Sequence, residues 1–116
     1  MSDDLVRLHH NKQRMKILQA LLKYPEGGVG REIAFDDLFD AVALIGAAMV
    51  PDQLDFHLRM LEEWNWVELR RGDTDKKIGA ILGVTLTAAG VDRIDIGKMP
   101  ELSETQGLKV RKGGRQ

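Results

Sequence analysis

Apolar residues recur at three- and four-residue spacing in three stretches of this chain and alternate in two others, so the pattern alone predicts helices and strands in a definite order. Leu8, Met15, Leu18, Leu21 and Leu22 mark a first helix over residues 5–24, closed by Pro25. A loop of glycines follows, and Glu32-Ile-Ala-Phe is short and apolar enough for an edge strand. Leu38, Val42 and Ile45 mark a second helix, capped by Asp36 and ended by Gly46. Leu54, Leu58 and Leu61 form one stripe of a third helix, with Pro51 in its first turn, where the missing N–H has no partner to lose. Asn65 supplies the left-handed residue that ends it. Residues 67–70 then alternate as a strand, residues 72–77 form a hairpin tip, and residues 81–86 return. Thr87 caps a last short helix running through Ile94, with Val91 and Ile94 toward the core.

Helix, short turn, helix, basic-tipped hairpin and capped helix is the order of a winged helix-turn-helix, an α+β fold with a three-helix core, a β-hairpin wing and a short C-terminal helix. The expected division is one domain over residues 1–96 and a tail over 97–116. In that tail Lys98, Lys109, Arg111, Lys112 and Arg115 stand against Glu101 and Glu104, among turn formers with little apolar periodicity. No internal repeat is present.

Composition narrows the setting. With 116 residues there is room for one small core, and with no cysteine there is neither a disulfide framework nor a thiolate metal site. The first residues carry no leader-like pattern and no window approaches a membrane span, so a cytoplasmic protein without membrane contact is expected. Lys and Arg number 17 against 18 Asp and Glu, which excludes a bulk basic excess. The charge is nevertheless segregated. Residues 5–24 hold Arg7, Lys12, Arg14, Lys16 and Lys23 with no acid, whereas residues 36–63 hold seven acids and only Arg59.

The frame Leu54-x-x-His57-Leu58-x-x-Leu61-x-x-x-Asn65-Trp-Val, followed by Val84-Thr-Leu-Thr-Ala-Ala-Gly-Val-Asp, resembles winged-helix regulators, in which a glycine usually stands at the Asn65 position. The run from Met15-Lys-Ile-Leu through Leu86-Thr-Ala-Ala-Gly to Gly97-Lys-Met-Pro-Glu-Leu is similar to small winged-helix proteins of Mu-like phages and prophages. That resemblance covers residues 12 to 102 and implies a regulatory, DNA-binding role.

Double-stranded DNA would be met through phosphate contacts from Arg70, Arg71, Lys76 and Lys77 on the hairpin, Arg14 on the first helix, and Lys109, Arg111 and Lys112 in the tail. Arg59, Gln53 and His57 are the candidate base readers on the third helix. Against this stands an arc opposite its apolar stripe, where Asp52, Asp55, Glu62 and Glu63 accompany Arg59 and would face a polyanion. Beside that arc, Phe56, Met60 and Trp64 form a flank that suits a homodimer or a protein partner, or else packs under the hairpin or against the first helix. Two readings therefore stand: a DNA-binding regulator, or a winged-helix module that binds protein through the third helix. Three histidines do not make a metal site, and His57 borders the core stripe. The Asp36, Asp37 and Asp40 group complements a helix start. Gly27-Gly-Val-Gly-Arg lacks the Lys-Ser/Thr of a phosphate loop, and no cofactor or catalytic residue is expected, which leaves an enzyme the least favoured class.

Overall fold

Each of the three apolar stripes is a helix in the computed structural model, which describes residues 2–25 and 27–97. Helix α1 spans Ser2–Lys23, β1 Glu32–Ala34, α2 Phe35–Leu44, α3 Pro51–Glu63, β2 Val67–Gly72, β3 Ala80–Leu86 and α4 Ala88–Ile96. The strands form one antiparallel sheet in the order β1-β3-β2, so β3 is the middle strand and the short β1 lies at an edge. The fold is thus α+β, with four helices and a three-stranded antiparallel sheet among the described residues.

The turn residues act where the sequence places them. Gly46 at φ 91° and Asn65 at φ 64° turn the chain out of α2 and α3 through the left-handed region, which costs a glycine little and an asparagine less than most residues. Pro51 opens α3, and Thr87 caps α4, its hydroxyl accepting from the Gly90 N–H at 3.1 Å and donating to the Asn65 carbonyl at 2.8 Å. That second bond ties the end of α3 to the start of α4. Asp36, by contrast, is not the cap of α2. Ala34 holds that position without a side-chain bond because β1 runs directly into the helix, and Asp36 and Asp37 fall in its first turn, where their charge still meets the free N–H groups.

The core is where α1 crosses the bundle. Ile17, Leu18 and Leu21 of α1 meet Leu38 and Val42 of α2 and Leu54, Leu58 and Leu61 of α3, all fully buried, and Val67, Val84 and Leu86 close the cluster from the sheet. Burying such a side chain contributes about 1.5–3 kcal/mol each. Gly90 allows α4 to sit against the start of β2, since a Cβ there would lie 2.4 Å from the Trp66 carbonyl oxygen. One expectation fails in this region. Leu8 does not join the core stripe of α1, because the helix runs beyond the domain body and leaves Leu5, Val6 and Leu8 exposed.

Candidate nucleic-acid interface

With Leu54, Leu58 and Leu61 inward, α3 turns Asp52, Asp55, Arg59, Glu62 and Glu63 away from the core. The hairpin folds toward that acidic arc. The Arg71 guanidinium donates to Glu62 near the loop end of β2, and the Lys77 ammonium donates to Asp55 Oδ2 at 3.2 Å from the loop itself. Arg59 completes the joint, its Nε donating to Asp55 Oδ1 at 2.5 Å and its Nη2 to the Gly79 carbonyl at 3.2 Å. Burial opposes the charge on Asp55, but the bonds from Arg59 and Lys77 outweigh it and hold its carboxyl below the usual carboxylate range. Arg59 is correspondingly held above its ordinary value, chiefly by its bond to Asp55. Two of the four acids of the arc, Asp55 and Glu62, are therefore neutralised by bases from the hairpin, while Asp52 is exposed.

The remaining hairpin bases diverge. A register shift between Arg70 and Arg71 interrupts the strand alternation. Arg70 reaches across the middle strand to Glu32 on β1, with Nη2 and Oε2 2.8 Å apart. This crossing is possible because Gly83 lies between them: a Cβ there would stand 2.4 Å from the Glu32 carboxyl. The bond from Arg70 lowers the Glu32 carboxyl and raises the Arg70 guanidinium. At the tip, the Thr74 hydroxyl accepts from the Lys76 and Lys77 N–H groups, and Asp73 Oδ1 accepts from the Gly79 N–H. This local cage presents Lys76 and Ile78 to solvent. Among the described residues Lys76 is the hairpin base without an ion pair within 4 Å.

Two of the candidate DNA contacts are interior groups instead. His57 is 1% exposed. Its Nδ1 accepts from Arg14 Nε at 3.0 Å and its Nε2 lies 2.8 Å from Gln13 Oε1, so the proton resides on Nε2 and the ring is neutral. Burial first, then the positive Arg14, pushes His57 down to about 4. Arg14 is itself buried, its charge disfavoured by desolvation, and its guanidinium carbon stands 5.5 Å from the Phe56 ring centre and 5.7 Å from that of Trp64. Neither residue can reach a base or a phosphate. The signal was present in the spacing: Gln13 and Arg14 lie four residues before Ile17 and Leu18, on the face that faces inward.

Gln53 is exposed, but its Oε1 accepts from the Val50 N–H at 3.1 Å and fastens the start of α3. Arg59 is partly buried in the joint with Asp55. Of the three residues proposed as an interface, Trp64 is 7% exposed with its ring tilted against that of Trp66 at 4.8 Å, and Met60 is partly buried against the core. The Trp64 indole N–H is buried without a hydrogen-bond partner among the described residues. Phe56 alone of the three is open, 47% exposed, with His10 edge-on at 5.8 Å. The tail contacts Lys109, Arg111 and Lys112 lie outside the described residues. Among the described residues no three His, Asp or Glu side chains come close enough to hold a metal ion, and no helix is long and apolar enough to cross a membrane.

No protein-family model and no curated protein matches the chain. A solved structure described as "Possible transcriptional regulator from Methanosarcina mazei Go1" aligns with it at 14% identity and a TM-score of 0.48, over 98% of this chain and 84% of that one.

Proposed function

We propose that this chain is a small winged helix-turn-helix DNA-binding protein of regulatory type, in which α2 and α3 form the helix-turn-helix and β2–β3 the wing. The observation that carries the reading is the joint between α3 and the hairpin. Glu62 with Arg71, and Asp55 with Lys77 and Arg59, remove part of the negative charge that α3 would otherwise turn toward a duplex, and they hold the hairpin beside that helix. The Arg70–Glu32 and Arg71–Glu62 pairs lie in water, where such pairs are weak, so phosphates can displace the carboxylates from Arg70 and Arg71, and Asp55 keeps Arg59 when Lys77 turns to a phosphate. Lys76 needs no such exchange. With His57 and Arg14 interior, base reading falls to Arg59 and Gln53, both already engaged, and the binding is expected to be driven by phosphate contact with weak sequence preference. The affiliation with Mu-like phage proteins belongs to the same proposal, and its support is the residue pattern from 12 to 102.

Fluorescence anisotropy with a random duplex tests it. Four phosphate contacts give a log–log salt slope of about −3.6, an affinity loss of about 150-fold between about 50 and about 200 mM salt. Absence of binding at the lower salt rejects the proposal. Binding that survives alanine at Arg70, Arg71, Lys76 and Lys77 rejects the wing as the contact. A second reading, a protein-binding module centred on α3, is favoured by the open Phe56 beside the exposed Asp52. It requires an identified partner whose binding is lost with Phe56→Asp while the chain's melting temperature is kept.

A further inference from the structure

Helices α1 and α2 leave an open groove between them, a cavity of about 350 Å³. Ala20, Lys23 and Tyr24 line it from one face of α1, and Asp37, Asp40, Ala41 and Leu44 from one face of α2, in each case at three- and four-residue spacing. The two alanines are too small to fill the space, and Leu44 borders it 88% exposed. Such an apolar surface gains by being covered. The rim is charged unequally. Asp37 and Asp40 make no ion pair and no side-chain hydrogen bond among the described residues, and the one ammonium in the lining is that of Lys23. Asp55 and Glu62 on α3, by contrast, are already met by hairpin bases.

An occupant that fits is apolar where it meets the alanines and basic where it meets the rim. This chain carries such a segment outside the described residues, Leu108-Lys109-Val110-Arg111-Lys112, with two apolar side chains, three bases and no acid. The other apolar stretch there, Met99-Pro100-Glu101-Leu102, would bring Glu101 against the two aspartates. Size agrees as well. From Asp37 to Leu44 the helix runs about 10.5 Å, the length of about three extended residues, which matches 108–110. The segment is also within reach. The Gly28 N–H donates to the Leu21 carbonyl at 3.3 Å and the Gly30 N–H to the Leu86 carbonyl at 3.0 Å, so α4 begins beside the end of α1. Helix α4 carries the chain about 14 Å onward to Gly97. The eleven residues from there to Leu108 span up to about 36 Å, enough to return.

We propose that the groove between α1 and α2 is the docking site of this chain's own basic segment. Leu108 and Val110 cover Ala20, Ala41 and Leu44, and the long side chains of Lys109 and Arg111 fold over the rim to Asp37 and Asp40. Docked there, these bases are answered by the chain's own acids, and a duplex gains them only by undocking the segment. That last consequence rests on the DNA-binding reading; the docking itself does not.

Paramagnetic relaxation in the full chain tests the docking without DNA. The chain has no cysteine, so Gly113→Cys supplies the one thiol for a nitroxide label. The expected result is strong relaxation at the Ala20, Tyr24, Ala41 and Leu44 amides and none at Lys76 on the hairpin. Leu108→Asp with Val110→Asp abolishes it. Asp37→Asn with Asp40→Asn, both exposed positions outside the core, weakens docking about fivefold, and about 1 M salt acts in the same direction. Amide spectra unchanged elsewhere in the domain show that these variants fold. Relaxation that is absent, that centres on α3 or on Asp92 and Asp95 of α4, or that persists undiminished in either double variant overturns the proposal. So does relaxation that passes between chains when a nitroxide-bearing copy is mixed with a label-free one, which makes a second copy the occupant.

Discussion

Lowering the pH from 7 to 5 is expected to remove about 2 kcal/mol of folding stability through one side chain, His57. In the folded chain its value is pushed down to about 4 from 6.5. The depression arises because the ring is buried and its Nδ1 lone pair is occupied by the Arg14 N–H. A proton arriving there must break that bond and set two cations side by side. The unfolded chain binds the proton more tightly, so the contribution is complete above pH 6.5 and is lost progressively down to about pH 4. Its full span is about 3 kcal/mol, of which about 2 falls between pH 7 and 5. His10 is lowered too, by burial and then by Arg14, and adds to the same slope, so a reference variant is needed. His57→Gln supplies one, because the amide can accept from Arg14 and donate to Gln13 without titrating. Urea denaturation of both proteins at pH 7, 6 and 5 gives the comparison. The natural chain should lose about 2 kcal/mol more than the variant. Parallel losses in the two proteins would refute the buried, neutral assignment of His57.

Other substitutions test the remaining joints. Gly90→Ala places a Cβ 2.4 Å from the Trp66 carbonyl and 2.7 Å from Leu86 Cδ1, and should cost about 1–3 kcal/mol in urea denaturation; an unchanged midpoint contradicts the close approach of α4. Asn65→Ala should destabilise by about 1 kcal/mol and Asn65→Gly should not, because only the former opposes the left-handed backbone at φ 64°. Thr87→Val removes both the cap on Gly90 and the bond to Asn65, and about 1–2 kcal/mol with it; hydrogen exchange should quicken first in α4. Asp55→Asn with Glu62→Gln frees Arg59, Arg71 and Lys77, so duplex affinity at low salt should rise about tenfold and the salt slope steepen; weaker binding contradicts the phosphate-contact proposal.

The element order was legible because the elements are written in local rules. Spacing of three and four places Leu54, Leu58 and Leu61 inside, Pro51 and Asn65 act at their own positions, and Thr87 caps the N–H three residues on. Long-range chemistry was not legible. That Arg70 meets Glu32, 38 residues away, depends on strand register and on a glycine in a third strand, which no periodicity reports. Asp36 failed as a cap because a strand feeds straight into α2, and Leu8 failed as a core residue because a helix can outrun the body it packs on. His57 and Arg14 were misassigned for a related reason. Polar side chains read as surface by type, yet Gln13, Arg14 and His57 satisfy one another in the interior, and only their phase on the two helices hinted at it.

The gap at Gly83 decides how the hairpin is posed. Neighbouring strands stand about 4.8 Å apart, so the reach from Glu32 to Arg70 spans two such intervals and braces the outer strands like a strut laid over a missing plank. A larger residue at 83 would push the Glu32 carboxyl aside and unfasten that strut while leaving the backbone rungs of the sheet in place. Dissolved ions act in the same direction by weakening the strut's two charged ends. The one side-chain bond that spans the whole sheet therefore depends on a position that carries no side chain at all.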